Sequence, residues 1–251
     1  MKHSIVLFCL LSASHFSYSQ TTDSTKTPSF FRGQINATNN GISLIPTFSL
    51  GKPAVLCDLN IGKGRLSFDP MLRFGMNGKP WTFVFWWRYK LIQQKKFMLG
   101  LGAHPSVVFR DISVVNNGVK KDYLVAQRYF AWEASPTYII NKNVNLGLYY
   151  LGSKGLTKDI VQNTTFMAVR SVLNLNLSNK FNLGLIPQAY YLKMDDKDGT
   201  YVNATFNFYK KNFPVSLNAI ASKAIRTEIP GKDFLWSVGA VYNINNSYLK
   251  R

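Results

Sequence analysis

The first residues whose types could carry chemistry are His104 and Ser106, which are separated by Pro105. A histidine base beside a serine hydroxyl is what nucleophilic hydrolysis requires. The other histidines, His3 and His15, lie in the first twenty residues, so such a site would depend on His104 alone. One histidine and one cysteine beyond those twenty residues make no metal-ligand set, and we expect neither a metal nor another cofactor.

A second group of candidate residues is ionisable and falls on one face of several alternating segments. Asn77-Gly78 favours a two-residue hairpin turn, which predicts that Asp69 lies opposite or diagonal to Arg88. In a common interior, the set could form a constriction that favours anionic or zwitterionic solutes, or an ion-pair network that fills and stiffens it. Both interpretations stay open. The predicted inward-facing set is Asp58, Arg65, Asp69, Arg73, Arg88, Lys90, His104, Arg110, Glu133 and Arg170.

The elements that would position these side chains are β-strands, because apolar and polar residues alternate with a period of two from Gly41 onward. No segment shows a convincing 3.6-residue periodicity. In residues 80–91, for example, Phe83, Phe85 and Trp87 share one face, and Arg88 and Lys90 share the other. The pattern predicts about twelve strands, at 41–50, 53–61, 64–76, 80–91, 96–112, 123–140, 143–152, 164–178, 180–194, 200–210, 213–224 and 233–244.

The connections between these strands are predicted to alternate in length. Residues 62–63, 93–95, 141–142, 179 and 211–212 form tight turns, whereas 113–122, 153–163, 195–199 and 225–232 are generally longer. Short turns at one end and longer loops at the other are typical of barrels that cross a bacterial outer membrane.

The composition of the polar face separates a membrane barrel from a soluble β protein. That face is rich in small and amide residues, such as Asn145, Asn174, Asn207 and Gly239, which suit a crowded interior better than a solvated surface. Aromatic residues concentrate near the strand ends, where they would form interfacial girdles. The predicted girdle consists of Trp81, Trp87, Tyr89, Tyr138, Tyr150, Phe234 and Tyr242. We therefore predict an all-β, closed, antiparallel, up-and-down transmembrane β-barrel.

The first residues have the pattern of an export signal. A basic start at Lys2, an apolar run from Ile5 to Leu11 and small residues at Ser17 and Ser19 predict a signal peptide over 1–19, with cleavage before Gln20. We expect residues 20–40 to be a periplasmic tether and 41–251 to be the barrel. The apolar run is far shorter than the roughly 20 residues of a membrane-spanning helix, and Cys57, left alone after cleavage, cannot form an internal disulfide.

The net charge of +18 comes from 30 Lys and Arg against 12 Asp and Glu among 251 residues. The lysines are scattered among the predicted turns rather than collected in one stripe, so we do not expect a nucleic-acid partner. Basic turns at both ends of a barrel can instead bind the phosphates of lipopolysaccharide outside and of phospholipid inside.

The run from Gly62 to Leu91, GKGRLSFDPMLRFGMNGKPWTFVFWWRYKL, resembles small, largely uncharacterised outer-membrane β-barrel proteins of Bacteroidota. The junction Ser17-Tyr18-Ser19/Gln20 is similar to that of exported proteins of this group. The resemblance implies an outer-membrane location and this fold, and it implies no catalytic residues. Many outer-membrane barrels end on an aromatic residue that the assembly machinery reads, whereas this chain continues to Arg251 beyond the last predicted strand. We therefore expect that Tyr242 or Tyr248 substitutes in that signal, or that the family uses another one.

The expected function is that of a narrow channel, or of a structural barrel that binds an unknown protein partner, with a charged lumen. Two alternatives remain. One is a lipid-modifying barrel enzyme that depends on His104, although we expect this side chain to be a hydrogen-bonded interior residue. The other is a soluble, secreted β-barrel binding protein.

Overall fold

The computed structural model describes residues 29–116 and 119–248, most of which belong to one antiparallel sheet. Within these residues no helix is long and apolar enough to cross a membrane. Pro46–Phe48 form a short 3₁₀ turn. The strands are β1 (Ser29–Thr38), β2 (Ala54–Lys63), β3 (Leu66–Gly75), β4 (Pro80–Gln93), β5 (Phe97–Asn116), β6 (Val119–Ile139), β7 (Val144–Gly155), β8 (Asn163–Asn176), β9 (Phe181–Met194), β10 (Lys197–Lys210), β11 (Val215–Thr227) and β12 (Phe234–Tyr248).

The sheet closes on itself. Each strand pairs with its neighbours in the chain, and β1 pairs with β12 from Ser29↔Tyr248 to Thr38↔Gly239. A closed sheet has no free edge, so its backbone donors and acceptors are satisfied by neighbouring strands, as a hydrocarbon environment demands. The predicted closed, antiparallel barrel of twelve strands is confirmed. The predicted signal peptide, 1–19, lies outside the described residues.

The two faces of the barrel wall differ in chemistry. Outward-facing apolar side chains are strongly exposed, as Trp87 (53%), Leu148 (56%) and Trp236 (52%) show. The intervening positions point inward and carry most of the charged and amide groups. Because large apolar side chains on the surface of a monomeric soluble protein do not normally form a continuous belt, this distribution fits a lipid-facing wall.

The barrel has two different ends. The terminal rim is the end that holds residues 29 and 248 and the short turns 64–65, 94–96, 140–143, 177–180 and 211–214. The loop rim is the opposite end, with connections 39–53, 76–79, 156–162, 195–196 and 228–233 and with the Asn116↔Val119 end of the β5–β6 pair. At the loop rim Asn77 and Gly78 lie in the turn between β3 and β4, with Gly78 at a φ of +79°, but the connection spans 76–79 rather than the two residues predicted.

The prediction for the start of the barrel was wrong. Residues 29–38, assigned to the tether, form β1, and residues 41–50, predicted as the first strand, belong to a connection that folds into the barrel. Pro46 lacks the N–H that a strand ladder needs, and its fixed φ suits the start of the 3₁₀ turn where it lies.

Two predicted loops are also shorter than expected. Strands β5 and β6 remain paired from Phe97↔Tyr138 out to Asn116↔Val119, so most of 113–122 is strand. Strand β10 already begins at Lys197, which leaves 195–196 as the connection to β9, with Asp195 at a φ of +51°. In both stretches the strands extend beyond the belt of outward-facing apolar side chains. Their residues are mostly polar there, so the alternation of apolar and polar residues does not indicate a strand.

Candidate functional site in the barrel interior

A cavity of about 1280 Å³ occupies the barrel interior. It begins at the terminal rim, where Lys211 and Asn212 of the β10–β11 turn line its mouth, and it ends at residues 42–48 near the loop rim. Inward-facing side chains from strands all around the barrel line its wall. The cavity is thus elongated: it is open to the surface at the terminal rim and is bounded by residues 42–48 at its other end.

Arg88 is the centre of the charged part of the wall. Its Nη1 donates to Asp69 Oδ2 at 2.8 Å, and its Nε donates to Glu133 Oε1 at 2.7 Å. Tyr149 donates its hydroxyl to Glu133 Oε2 at 2.6 Å, and Asn60 donates to Asp69. The two carboxylate side chains are only 10% and 5% exposed, so the arginine holds two buried acids that would otherwise be costly to ionise.

The Arg88–Glu133 pair is possible because the residue between them is a glycine. Arg88 on β4 and Glu133 on β6 both lie opposite Gly102 of β5. A Cβ atom at this position would be 2.9 Å from Glu133 Oε1 and 3.2 Å from Arg88 Cγ. The sequence analysis missed Gly102 and Tyr149, although both share the inward-facing parity of residues that it did identify.

A second, looser ion pair lies on β2 and β3. Arg73 Nε is 4.0 Å from Asp58 Oδ1, and neither atom has a hydrogen-bond partner among the described residues. Gln34 on β1 donates to the other oxygen of Asp58 at 3.1 Å. The Arg73 guanidinium also lies 5.7 Å from the ring centre of Trp81. Both charged residues line the cavity.

The opposite wall is uncharged. Between β9 and β12 the cavity is lined by amides and hydroxyls such as those of Gln188, Asn203 and Ser216, and lysines enter only at the rim, at 210 and 211. Asn218 donates to Asn207 Oδ1 at 2.7 Å, which leaves other amide groups of this wall facing the cavity. The interior therefore combines an ion-paired wall with an amide and hydroxyl wall.

The connection 39–53, called the inserted segment below, crosses the interior near the loop rim. Trp81 Nε1 donates to the carbonyl oxygen of Phe48 at 2.8 Å, and Arg110 donates to the carbonyl oxygen of Thr47. The Phe48 ring lies 5.3 Å from the ring of Tyr129 on β6. The segment thus extends from β1 and β2, which it connects, across the interior to β4, β5 and β6.

An apolar cluster lies beside the tip of the inserted segment. Ile45, 7% exposed, packs among inward-facing side chains of β4 and of β7 to β10. Within this cluster Phe166 and Leu192 are fully buried, and Phe166, Tyr190 and Tyr201 form a stack with ring centres 4.8 and 4.9 Å apart. Together with the inserted segment, the cluster closes much of the interior on the loop-rim side.

Of the ten predicted inward-facing charged residues, eight point into the interior. Arg170 lies there with its guanidinium 5.2 Å from the Tyr149 ring. Two others do not line the lumen: Arg65 lies in the exposed turn before β3, which begins at Leu66, and Lys90 is exposed near the terminal rim. The predicted excess of six cations over three anions thus falls to four arginines against three carboxylates.

His104 is buried, at 7% exposed, with its ring 4.0 Å from that of Trp86. Its Nδ1 has no hydrogen-bond partner among the described residues, so no carboxylate orients the ring as a catalytic triad requires. In the described part of the chain no three His, Cys, Asp or Glu side chains gather into a possible metal site.

One predicted girdle residue is misplaced. Trp81 is only 3% exposed and lies under the inserted segment rather than at a lipid interface. The register between β3 and β4 shifts from Arg73↔Thr82 to Phe74↔Pro80, so Trp81 is the extra residue of a bulge, which turns its side chain. The other six lie on the outside with side chains 36–54% exposed: Trp87, Tyr89, Tyr138, Tyr150, Phe234 and Tyr242.

No protein-family model matches this chain, and no curated protein matches it. Solved structures do. An outer membrane channel from Pseudomonas putida F1 is similar with a TM-score of 0.51 and 9% identity, over 87% of this chain and 96% of that one. The NanC porin has a TM-score of 0.50 and 9% identity, over 87% of this chain and 100% of its own. The KdgM porin has a TM-score of 0.50 and 8% identity, over 84% and 98%. At these identities the likeness concerns the fold, and the chain has the fold of an outer-membrane β-barrel.

Proposed function

We propose that the protein is an outer-membrane channel for small polar solutes that carry little or no net charge. The observation that carries this proposal is the cavity of about 1280 Å³, which reaches the surface at the terminal rim and is lined by amide, hydroxyl and charged side chains among apolar ones. It exceeds the roughly 300–1,000 Å³ of most small-molecule pockets. The terminal rim would face the periplasm and the loop rim the outside, as the lengths of the connections favour.

The preference for uncharged solutes follows from the pairing of the arginines. Arg88 is neutralised by Asp69 and Glu133, and Arg73 lies beside Asp58. Arg110 donates to a backbone carbonyl rather than to open space. Opposite charges at these distances largely cancel each other's field. The four arginines and three carboxylates of the interior leave a net charge of only about +1, so the wall exerts a weak pull on an anion. This favours the ion-pair interpretation of the charged set over a strongly anion-selective constriction.

The uncharged wall explains how a solute could be accommodated. Amide groups present donors and acceptors side by side, so a solute with several hydroxyl groups can exchange its bonds to water for bonds to Gln188, Asn203 or Asn207. Such exchange keeps the cost of leaving water small without holding the solute tightly, as passage requires. Neutral polyols and zwitterions are the solute classes that match this wall.

The proposal contains no catalytic step. His104 points inward, and its Nδ1 has no hydrogen-bond partner in the part of the chain that the structure describes, whereas a phospholipid would approach from the apolar outside. A lipid-turnover assay of the purified barrel and of a His104→Ala variant is expected to show no activity in either. If the purified barrel turns over lipid and the His104→Ala variant does not, the protein is an enzyme and the channel proposal is wrong.

The channel is tested by solute flux into liposomes. Because the inserted segment obstructs the loop rim, the assay includes a shortened variant in which two glycines replace residues 42–51; the ends are close, since Gly41 N donates to Lys52 O at 2.8 Å. We expect a neutral hexose to enter at least as fast as a uronic acid or an amino sugar of equal size. Entry of the acid alone would contradict the proposed solute class, and no flux of any solute through the shortened variant would contradict the channel.

A further inference from the structure

We propose that the inserted segment, 39–53, is a displaceable plug that closes the loop rim and must leave the interior before solute can pass. This inference rests on the proposed channel function. It concerns a different part of the molecule, since the cavity lies on one side of the plug and the loop rim lies on the other.

The segment lies in the path but is only lightly packed. Among its residues only Gly41 and Ile45 are buried, whereas Leu44 is 39% exposed. Phe166 and Leu192, the fully buried members of the apolar cluster, are side chains of the barrel wall. A permanent core element would bury most of its apolar side chains. This packing therefore favours a segment that enters and leaves the interior reversibly over one that stabilises the barrel.

The polar contacts of the tip are few and are made mainly to its backbone. Arg110 and Trp81 donate to consecutive carbonyl groups, those of Thr47 and Phe48. The Thr47 hydroxyl donates to Met194 Sδ at 3.5 Å. When the segment leaves the interior, water or a solute oxygen can accept hydrogen bonds from Arg110 and Trp81 instead. The two donors that form the seat of the segment therefore have hydrogen-bond partners whether the segment is in place or displaced.

The base of the segment gives it a place to pivot. Gly41 N donates to Lys52 O at 2.8 Å, and Leu50 N donates to Gly41 O at 2.8 Å, so the two ends are held together just beyond the last β1–β2 pair, Thr38↔Ala54. Gly51, at a φ of +71°, allows a sharp change of direction there. The tip can therefore move without breaking the pairing that closes the barrel.

A reversible tether tests the plug. In a Cys57→Ser background, Thr47→Cys and Met194→Cys place thiols at two neighbouring positions whose present side chains touch, and a short, reducible thiol crosslinker would hold the tip in place. We expect planar-bilayer conductance to be abolished when the tether is formed and to return on reduction. Each single-cysteine variant is the control and is expected to be insensitive to reduction.

Equal conductance with and without the tether, once mass spectrometry shows the crosslink to be complete, would overturn the plug. The shortened variant separates this failure from failure of the channel itself. It is expected to conduct several-fold more than the full chain. If the full chain conducts well and the shortened variant conducts no more than it, the plug is wrong and the channel stands. If the shortened variant folds but never conducts, both proposals are wrong.

A milder change at the seat provides a second measurement that leaves the segment intact. Arg110→Gln removes the guanidinium that donates to the Thr47 carbonyl of the segment. Arg170→Gln alters an interior arginine whose guanidinium lies over the Tyr149 ring rather than against the segment. The plug predicts longer open times for the first variant and unchanged open times for the second. Identical open times in both would contradict the proposed seat.

Discussion

Arg88 and Glu133 meet at 2.7 Å across the strand that separates them, because Gly102 between them has no side chain. The pair joins β4 to β6 through the interior, and Asp69 on β3 completes a bridge over four adjacent strands. The same contacts that neutralise Arg88 therefore also brace one side of the barrel.

The first prediction concerns ion selectivity. Glu133→Gln removes one of the two carboxylates that neutralise Arg88 without changing the size of the side chain. We expect the reversal potential of the shortened variant in a salt gradient to shift towards anion selectivity. Asp111→Asn is the control, because Asp111 pairs with Lys79 at the exposed loop rim, outside the cavity. A shift of the same size in both variants would show that the buried network does not set selectivity.

The second prediction concerns stability. Glu133→Gln is expected to lower the free energy of unfolding by about 1.5–3 kcal/mol, since it replaces a charged hydrogen-bond acceptor inside the barrel. The loss should stay below the roughly 3–5 kcal/mol of a fully buried pair, because the Arg88 side chain is 36% exposed. Urea unfolding of the refolded barrel measures it. For Asp111→Asn we expect less than about 1 kcal/mol, as both partners are more than half exposed.

The third prediction concerns Gly102. A Val side chain there would collide with Glu133 Oε1 and Arg88 Cγ, so Gly102→Val should separate the pair and lower the free energy of unfolding, as Glu133→Gln does. Gly231→Val is the control, because nothing lies within 4 Å of a Cβ at Gly231. If Gly102→Val has the same free energy of unfolding in urea as the unchanged protein, the glycine is not what allows the pair to form.

The fourth prediction concerns the seat of the inserted segment. Trp81→Phe keeps an aromatic ring but removes the N–H that donates to Phe48 O at 2.8 Å, so the open probability should rise. Trp87→Phe, on the outer face at 53% exposed, is the matched control and should leave gating unchanged. An open probability that is unchanged in Trp81→Phe would remove the indole from the set of contacts that hold the segment.

The contact between Asp69 and Arg88 could be predicted from the sequence, because the Asn77-Gly78 turn sets the register of its hairpin. Asp69 is opposite Trp86 and diagonal to Arg88, as this register requires. Alternation likewise located eleven of the twelve strands approximately. Local patterns of this kind are sufficient wherever the turn and the period of two determine the pairing.

The inserted segment could not be predicted in the same way. Ile42, Leu44 and Pro46 alternate with Ser43, Ile45 and Thr47 in a manner that is close enough to a strand to be read as one. Its true position depends on Arg110 and Trp81, which donate to backbone carbonyls and therefore leave no trace in the side chains of the segment. The bulge that turns Trp81 inward is likewise a tertiary feature. The errors thus collect where long-range contacts override local alternation.

The last prediction concerns orientation in the membrane. If the loop rim faces the outside, a cysteine at Asn77 in a Cys57→Ser background should react with a membrane-impermeant thiol reagent on intact cells. A cysteine at Lys142, in a turn of the terminal rim, should react only after the outer membrane is opened. Both positions are exposed, so burial does not account for a difference between them. The reverse pattern would place the mouth of the cavity outside the cell and the inserted segment at the periplasmic end, and solute would then meet the cavity before the plug.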